Sequence, residues 1–326
     1  MNKVAKHLLF VSFAQFALPE IGLCLHYKRR KHMKAKNPAR FLILALYFTI
    51  LSAMSTQAQL TAQMPTLNSS GYAPVNGLKL YYEIHGEGQP IVLLHGAYMT
   101  IDLNWREIIP ELAKSHKVIA LEMQGHGRTA DIDRPVTFKA LGDDVAGLLK
   151  YLKIDSADVL GYSLGGTVAF SFAIQHPEML KKLVLISTVY KTTGWQPELQ
   201  AAFKNFKPEL FENTPLKAAY EAVAPDPGHW KQFLAKYMEY GKQDYNLGDD
   251  NVKAIKAPAL VIMGDNDGVD LRFKADLYKL LGGGVIGDFA GLPKSQLAIL
   301  PGTTHVSLMM ETSKLLAIIQ PFLIKK

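Results

Sequence analysis

The chain has 326 residues, of which 48% are hydrophobic and 20% are charged, and it contains a single cysteine. This composition is typical of a globular protein and excludes collagen, an intrinsically disordered chain and a disulfide scaffold. Residues 1–58 hold nine of the 36 Lys and Arg side chains and one of the 29 Asp and Glu side chains, which leaves 27 basic and 28 acidic residues beyond them. The main body is therefore close to neutral, and its charge indicates no nucleic-acid partner.

A secretory signal is predicted for the N-terminal segment. Basic residues precede a charge-free run at residues 41–51, and small residues follow it up to Ala58. This order is that of a signal peptide, so we expect cleavage after Ala58 and export to the periplasm or the exterior. The run of eleven residues is too short to cross a bilayer, so no stable membrane span is expected after cleavage. Met33 is the expected translation start; an uncleaved anchor and a buried helix are the alternatives.

Beyond a polar spacer at residues 59–70, the hydrophobic pattern alternates between strands and amphipathic helices. Such alternation predicts an α/β fold with a mostly parallel central sheet and helices on its faces. Residues 190–256 lack strand patterns and are predicted to be a helical cap inserted between two core segments, 71–189 and 257–326. Strands are predicted at 79–84, 90–94, 117–121, 158–162, 182–187, 259–264 and 296–300, and helices at 138–152, 164–175, 229–240, 271–281 and from Val306 onward.

A G-x-S-x-G motif joins the strand that ends at Tyr162 to the helix that follows it. A serine nucleophile at such a junction needs a sharp turn with strained backbone, and the glycines Gly161 and Gly165 let the strand and the helix approach closely. The start of the helix adds backbone N–H groups and a positive dipole end, which favour a developing anion. Ser163 is therefore the candidate nucleophile, with a plain helix N-cap as the alternative.

On this motif the chain resembles the α/β-hydrolase fold family, and the resemblance covers nearly all of the chain beyond the spacer. Residues 93–98, with the sequence Leu-Leu-His-Gly-Ala-Tyr, look like the oxyanion loop of that family. The resemblance implies that the backbone N–H groups of Ala97 and Leu164 form the oxyanion hole. It also implies that His95 holds the loop in shape rather than taking part in catalysis.

The family order of nucleophile, acid and histidine implies the other two members of a triad. His305 follows the last predicted strand and precedes the last helix, which makes it the expected base. The family's G-x-x-D spacing selects Asp267 as the expected acid, with Asp265 and Asp270 as alternatives. The family's other acid position comes directly after the strand ending at Ser187, where this chain has no carboxylate.

Candidate pocket residues are Tyr98 and Met99 beside the oxyanion loop, and Trp195 and Trp230 in the cap. The cap holds eleven aromatic residues, which suggests an apolar underside. In the cap helix at 229–240, however, the apolar residues recur at helical spacing, and this pattern equally predicts simple docking of the helix on the core.

Two further glycine-rich segments are predicted to have no catalytic role. Residues 124–129 resemble the glycine-rich turn of the family and are interpreted as scaffold, although Glu122 stands where aspartate is more usual. Residues 282–287 match G-x-G-x-x-G, but they follow a helix rather than a strand. They therefore lack the context of a dinucleotide site and are predicted to form a surface loop.

These features predict an exported serine hydrolase that cleaves carboxylic esters or lactones of small to medium, rather apolar substrates through an acyl-enzyme. The expected partner is a small-molecule substrate, and the mechanism needs neither a metal nor an organic cofactor. A C–C bond hydrolase, a cofactor-free haloperoxidase or perhydrolase, and a prolyl aminopeptidase share the fold and stay open as alternatives. A ligand-binding protein with a retained triad is the alternative from a different class.

Overall fold

The computed structural model of the protein describes residues 67–325. The predicted translation start at Met33, the signal peptide and its cleavage at Ala58 lie outside these residues. Within residues 67–325, no helix combines the length and the apolar character that crossing a membrane requires.

In the described part of the chain, eight strands form one sheet in the order β1-β2-β4-β3-β5-β6-β7-β8. The strands from β3 to β8 are mutually parallel, whereas β2 pairs antiparallel with both β1 and β4. This arrangement confirms the predicted α/β fold. The strands are β1 (Leu67–Val75), β2 (Leu78–His85), β3 (Gln89–Leu94), β4 (His116–Leu121), β5 (Ala157–Tyr162), β6 (Leu180–Ile186), β7 (Ala259–Gly264) and β8 (Gln296–Leu300).

Helices cover both faces of the sheet, and on each face an apolar cluster packs the helices against the sheet. The α-helices are α1 (Ile101–Trp105), α2 (Ile109–Leu112), α3 (Phe138–Tyr151), α4 (Leu164–Gln175), α5 (Pro197–Asn205), α6 (Pro215–Glu221), α7 (Trp230–Gly241), α8 (Asp249–Lys253), α9 (Leu271–Leu280), α10 (Gly287–Ala290) and α11 (Thr312–Ile324).

The two ends of the described chain differ from the prediction. Strand β1 begins at Leu67, so residues 67–70 belong to the sheet rather than to the spacer. Their polar sequence gives no strand pattern, and the antiparallel pairing with β2 is what orders them. At the other end, the last α-helix begins at Thr312 rather than at Val306, because a 3-10 turn over Ser307–Met310 comes first.

The segment between β6 and β7 forms the four helices α5 to α8. Helix α7 turns its apolar side chains inward, as the docking interpretation expects, and the ring of Phe233 lies 4.7 Å from that of His126 in the core. The Tyr237 hydroxyl donates a hydrogen bond of 2.7 Å to the carbonyl of Gln124. The ammonium of Lys236 binds both carboxylate oxygens of Asp131, at 2.8 and 2.9 Å. Apolar contacts, a buried hydrogen bond and an ion pair thus hold this segment on the core.

Candidate active site

Ser163 lies at the turn between β5 and α4, with a φ of 52° and a ψ of −116°. Such a positive φ is unfavourable for a residue with a Cβ atom, so the surrounding packing must hold the turn. That packing leaves no room for a side chain on the flanking glycines. A Cβ on Gly161 would overlap the carbonyl of Gly165, and one on Gly165 would overlap the carbonyl of Leu94 at the end of β3.

The structure brings together the three residues that the sequence assigns to a triad. The Oγ atom of Ser163 lies 2.9 Å from Nε2 of His305, and Nδ1 of the same ring lies 3.0 Å from Oδ1 of Asp267. A proton on Nδ1 donates to the carboxylate and leaves Nε2 free to accept the serine proton. Because β5, β7 and β8 are parallel, the loops that carry these residues meet at the carboxyl edge of the sheet, the edge at which β3 to β8 end.

Asp267 is almost fully buried, and its charge is held by hydrogen bonds. Burial by itself would raise the pKa of this carboxyl, but the adjacent His305 and the Ser187 hydroxyl outweigh burial, so that the pKa lies below its ordinary value. The hydroxyl of Ser187 donates to Oδ2 at 2.5 Å. The carboxylate is therefore ionised at neutral pH and can stabilise a charged imidazolium.

Sequence reasoning missed the role of Ser187. It placed Ser187 at the end of a strand and considered only the position directly after it, as a place for an acid, yet the hydroxyl of Ser187 binds the acid supplied by the loop after β7. Ser187 has a φ of 47°, and its N–H donates to the carbonyl of Ile262 in β7. The left-handed backbone thus puts the hydroxyl beside the neighbouring loop, an arrangement that no local pattern indicates.

The two alternative acids have other contacts. The carboxylate of Asp265 accepts a hydrogen bond of 3.1 Å from the N–H of Thr303, which braces the loop that carries His305. Asp270 caps helix α9, because its side chain accepts from the N–H groups of Arg272 and Phe273 at 2.8 and 2.9 Å. Among residues 67–325, it is Asp267 and neither of these two carboxylates that forms a hydrogen bond with the imidazole of His305.

The proposed oxyanion donors stand at two neighbouring turns. The N–H of Leu164 belongs to the first residue of α4, and the N–H of Ala97 belongs to the loop after β3. Within residues 67–325, neither N–H donates to a protein acceptor. Two free N–H groups beside a serine nucleophile are the donors that a developing oxyanion requires.

Two buried histidines hold the oxyanion loop. Nε2 of His95 accepts from the N–H of Met123 at 3.1 Å, and Nε2 of His126 accepts from the N–H of Tyr98 at 3.1 Å. Burial lowers the pKa of His95 to about 4 and lowers that of His126 well below its ordinary value. Both rings are therefore neutral acceptors. Sequence reasoning assigned His126 only to the turn at 124–129, but the structure also shows it supporting Tyr98, whose φ is 64°.

Glu122 is the centre of a buried hydrogen-bond network under the same loop. Its carboxylate accepts from the backbone N–H and the guanidinium of Arg128, at 2.5 and 2.9 Å, and from the N–H of Ile101 at 3.2 Å. Burial raises the pKa of Glu122 to about 7 despite these donors. The residue that departs from the family pattern thus joins α1 to the glycine-rich turn.

The candidate pocket residues differ in their distance from the triad. The ring of Trp195 lies 5.6 Å from that of His305, Tyr98 ends the oxyanion loop, and Met99 follows it. Trp230 packs on Tyr220 and Phe233, with ring centroids 5.1 and 5.8 Å apart.

Aromatic rings connect the base to the oxyanion loop through the cap. Neighbouring ring centroids are 5.2 to 5.8 Å apart along this series, which we call the aromatic arch. None of its rings carries a charge, and Trp195 at one end of it lies 5.6 Å from the ring of His305. The aromatic arch consists of Trp195, Phe203, Phe206, Phe211 and Tyr98.

No group of three or more His, Cys, Asp or Glu side chains that could hold a metal ion occurs within residues 67–325.

Comparisons with known proteins agree with this architecture. A family model described as alpha/beta hydrolase fold matches residues 89–220. The 2-hydroxymuconate semialdehyde hydrolase of Pseudomonas sp. (strain CF600) is 37% identical over 115 residues, which are 34% of this chain and 41% of that protein. The 2-hydroxy-6-oxo-2,4-heptadienoate hydrolase of Pseudomonas putida is 37% identical over 196 residues, which are 58% of this chain and 62% of that protein. The matched regions thus span less than two thirds of either relative.

A solved structure shows the same fold. The meta-cleavage product hydrolase of Pseudomonas fluorescens IP01 superposes with a TM-score of 0.63 at 23% identity, and the match covers 79% of this chain and 97% of that one.

Replacing Ser187 with glycine tests its support of Asp267. Glycine tolerates the positive φ, so the variant loses the hydroxyl without backbone strain. We expect kcat for hydrolysis to fall roughly tenfold with little change in KM, because Ser187 contacts Asp267 rather than the substrate. Removing a hydrogen bond to a buried charge should also lower the free energy of unfolding at pH 7 by roughly 1.5 to 3 kcal/mol.

The same variant has a distinct pH dependence. A carboxyl whose pKa is lowered on folding contributes stability that is present above its unfolded pKa, about 3.9, and is lost as the pH falls through the folded pKa. The stability difference between wild type and Ser187→Gly should therefore shrink in acid. Urea unfolding at several pH values measures this difference, and a pH-independent difference would contradict the assignment.

Proposed function

We propose that this chain, a member of the α/β-hydrolase fold family, is an exported serine hydrolase that cleaves carboxylic esters or lactones of small to medium, rather apolar substrates. The observation that carries the proposal is the continuous hydrogen-bond line from Ser163 through His305 to Asp267, with distances of 2.9 and 3.0 Å. A hydroxyl, a neutral imidazole and a buried carboxylate in this order form the arrangement that activates a serine for acyl transfer.

The geometry supports a two-step reaction. In the first step, Nε2 of His305 takes the proton of Ser163 as the Oγ atom attacks the acyl carbon, and the carbonyl oxygen becomes an oxyanion. The N–H groups of Ala97 and Leu164 donate to that oxyanion, while Asp267 stabilises the imidazolium. The tetrahedral intermediate then breaks its bond to the leaving oxygen, which takes the proton from Nε2. In the second step, water attacks the acyl-enzyme in the same way and releases the acid.

The uncharged rings of the aromatic arch favour a substrate with a neutral, apolar acyl group. A substrate carboxylate placed against uncharged rings would lose its hydration without gaining a partner, and this costs several kcal/mol. A neutral ester or lactone carries no such cost, because its only developing charge is the oxyanion that the two N–H groups receive.

Hydrolysis of a C–C bond is the second candidate, and the names of the relatives favour it. Both relatives, each 37% identical over the matched region, are named as hydrolases of a 2-hydroxymuconate semialdehyde or of a 2-hydroxy-6-oxo-heptadienoate. The same serine, base and oxyanion donors serve that reaction when the leaving group is a carbon atom rather than an oxygen.

Replacing Ser163 with alanine should remove turnover. We expect the rate of p-nitrophenyl butyrate hydrolysis to fall by at least about 10⁴-fold, because the covalent route through Oγ is lost. Labelling by a fluorophosphonate should disappear with it. The matched control is Ser156→Ala, at a partly exposed serine before β5, which should keep both properties. Turnover and labelling that persist in Ser163→Ala would exclude this nucleophile. Ligand-induced thermal stabilisation of a wild type that neither turns over nor labels would indicate a binding protein instead.

A substrate panel separates the two candidate reactions. We expect kcat/KM for neutral aryl esters and lactones to exceed that for 2-hydroxy-6-oxo-2,4-heptadienoate by about 100-fold or more, since the unpaired carboxylate of the latter would cost roughly 3 kcal/mol. Product analysis by mass spectrometry after equal incubation times gives the measurement. A preference for the dienoate would replace ester hydrolysis with C–C hydrolysis while keeping Ser163 as nucleophile.

Export is tested at the processing site. We expect the mature protein secreted from a bacterial host to begin at Gln59, because small residues precede that position. Ala58→Phe should leave an uncleaved precursor, since a large side chain does not fit the site of signal cleavage. Ala62→Phe, four residues beyond, is the matched control and should be processed normally. N-terminal sequencing measures both, and a wild-type protein that keeps residues 33–58 would contradict the cleavage.

A further inference from the structure

A buried lysine contacts the start of the loop that carries the acid of the triad. Lys274, the fourth residue of α9, is 1% exposed, although lysine side chains are rarely fully buried unless they are paired. Its ammonium donates a hydrogen bond of 2.6 Å to the carbonyl of Gly264, the last residue of β7. The two-step reaction through Ser163 does not use this cation.

Gly264 is also the point where the acid loop, residues 265–270, meets the loop that carries His305. A Cβ on Gly264 would overlap the carbonyl of Thr303, two residues before His305. The N–H of Asn266 donates to the same carbonyl at 3.0 Å. The ammonium is therefore bound where both loops pack together, and its position relative to the triad is fixed.

Three carboxylates of the acid loop act on this ammonium. Burial lowers the pKa of Lys274, and the three negative charges oppose the effect of burial. In decreasing order of their effect, the three residues are Asp267, Asp265 and Asp270. Asp265 is exposed and Asp270 is half-buried, whereas Asp267 is buried. Asp267 is thus the buried anion that balances the buried cation.

The same relation holds from the side of the acid. Burial raises the pKa of Asp267, and its neighbours bring the pKa below its ordinary value. His305 has the largest effect among them, and Ser187 and Lys274 follow. Before the reaction the base is neutral, so among these three neighbours Lys274 supplies the positive charge. Asp267 pairs directly with His305 rather than with Lys274, so the ammonium acts through space, where buried charges are weakly screened.

We propose that Lys274 is a positioning residue for the serine hydrolysis, the permanent counter-charge of Asp267 that keeps the imidazole of His305 free of a proton. This role rests on the proposed function, since it presupposes that Ser163 is the nucleophile. A fixed ammonium near the triad disfavours a second positive charge on the imidazole, so the base can accept a proton at lower pH than it otherwise could. It also favours an ionised Asp267 in the resting state, when the imidazole supplies no charge.

Other titratable groups beside the triad do not change charge in the same pH range. Burial, together with the charge of Asp267, raises the pKa of the Tyr162 phenol well above its ordinary value, so this ring stays neutral. Hydrogen bonds from backbone N–H groups of the loop that carries the base lower the pKa of Asp265, which therefore stays ionised. The acid limb of a pH profile thus reports on the imidazole of His305 and on the charges of Asp267 and Lys274.

A variant of the full chain that lacks the charge tests the role. Lys274→Gln removes the ammonium but keeps an amide N–H for the carbonyl of Gly264. We expect the acid limb to move to higher pH by roughly half a unit or more, because protonation of the imidazole is no longer opposed. The ratio of the rate near pH 5.5 to the plateau rate near pH 8.5 should then fall about threefold. The rate of fluorophosphonate labelling of Ser163 gives the profile, since labelling needs the base but no particular substrate.

Two variants are the matched controls. Lys274→Arg keeps both the charge and the donor, so its acid limb should stay at the wild-type pH even if its plateau rate is lower. Lys279 lies on the same helix, with a side chain that is 67% exposed and 3.9 Å from the carboxylate of Asp276. Lys279→Gln should therefore leave the whole profile unchanged, because an exposed charge is screened by solvent. The thermal midpoint of each variant verifies folding.

A second measurement needs no variant to fold. We expect the ε-carbon resonance of Lys274, assigned in wild type labelled with ¹³C-lysine, to keep the chemical shift of an ammonium from pH 5 to 8.5. Deprotonation within that range would remove the permanent charge and overturn the inference.

The labelling profiles separate a failure of this inference from a failure of the proposed function. A wild type that no fluorophosphonate labels would contradict the proposed function, and the role of Lys274 with it. A labelled wild type, together with a Lys274→Gln variant whose rate falls by the same factor at every pH, would contradict the counter-charge alone. Lys274 would then serve only to hold the carbonyl of Gly264.

Discussion

The close approach of β5 and α4 at Ser163 is the constraint on which the site depends. Strand and helix lie so close that a Cβ on Gly161 would overlap the carbonyl of Gly165. A Cβ on Gly165 would likewise overlap the carbonyl of Leu94. The turn at this contact holds Ser163 at a positive φ of 52°. The same turn leaves the N–H of Leu164 without an acceptor within residues 67–325, so the position of the Ser163 hydroxyl and this free N–H share a single cause.

Around this turn, buried polar groups are placed by hydrogen bonds that join different strands. The carboxylate of Asp267 keeps its charge in a buried position because the ring of His305 and the hydroxyl of Ser187 offset the cost of burial. Two neutral histidines hold the oxyanion loop in a similar way, because His95 and His126 accept hydrogen bonds from backbone N–H groups. A buried group without such a partner would cost more than one partnered hydrogen bond contributes.

The carboxyl edge of the parallel sheet collects the candidate site from three separate loops. Ser163 follows β5, Asp267 follows β7 and His305 follows β8, and the imidazole of His305 lies 2.9 and 3.0 Å from the other two side chains. Because these strands are parallel, the fold itself brings the three residues to one edge.

The sequence by itself determined the features that depend on local patterns. The alternation of strands and helices specified the α/β fold, and the bounds of β7, β8 and α4 follow from short apolar runs that end at turns or at Pro177. Only the tertiary structure decided what depends on contacts between distant residues: that β1 starts at Leu67 by pairing with β2, and that Ser187 binds the acid of another loop. Such contacts leave no periodic pattern in the sequence, because the two partners are far apart along the chain and meet only when the chain folds.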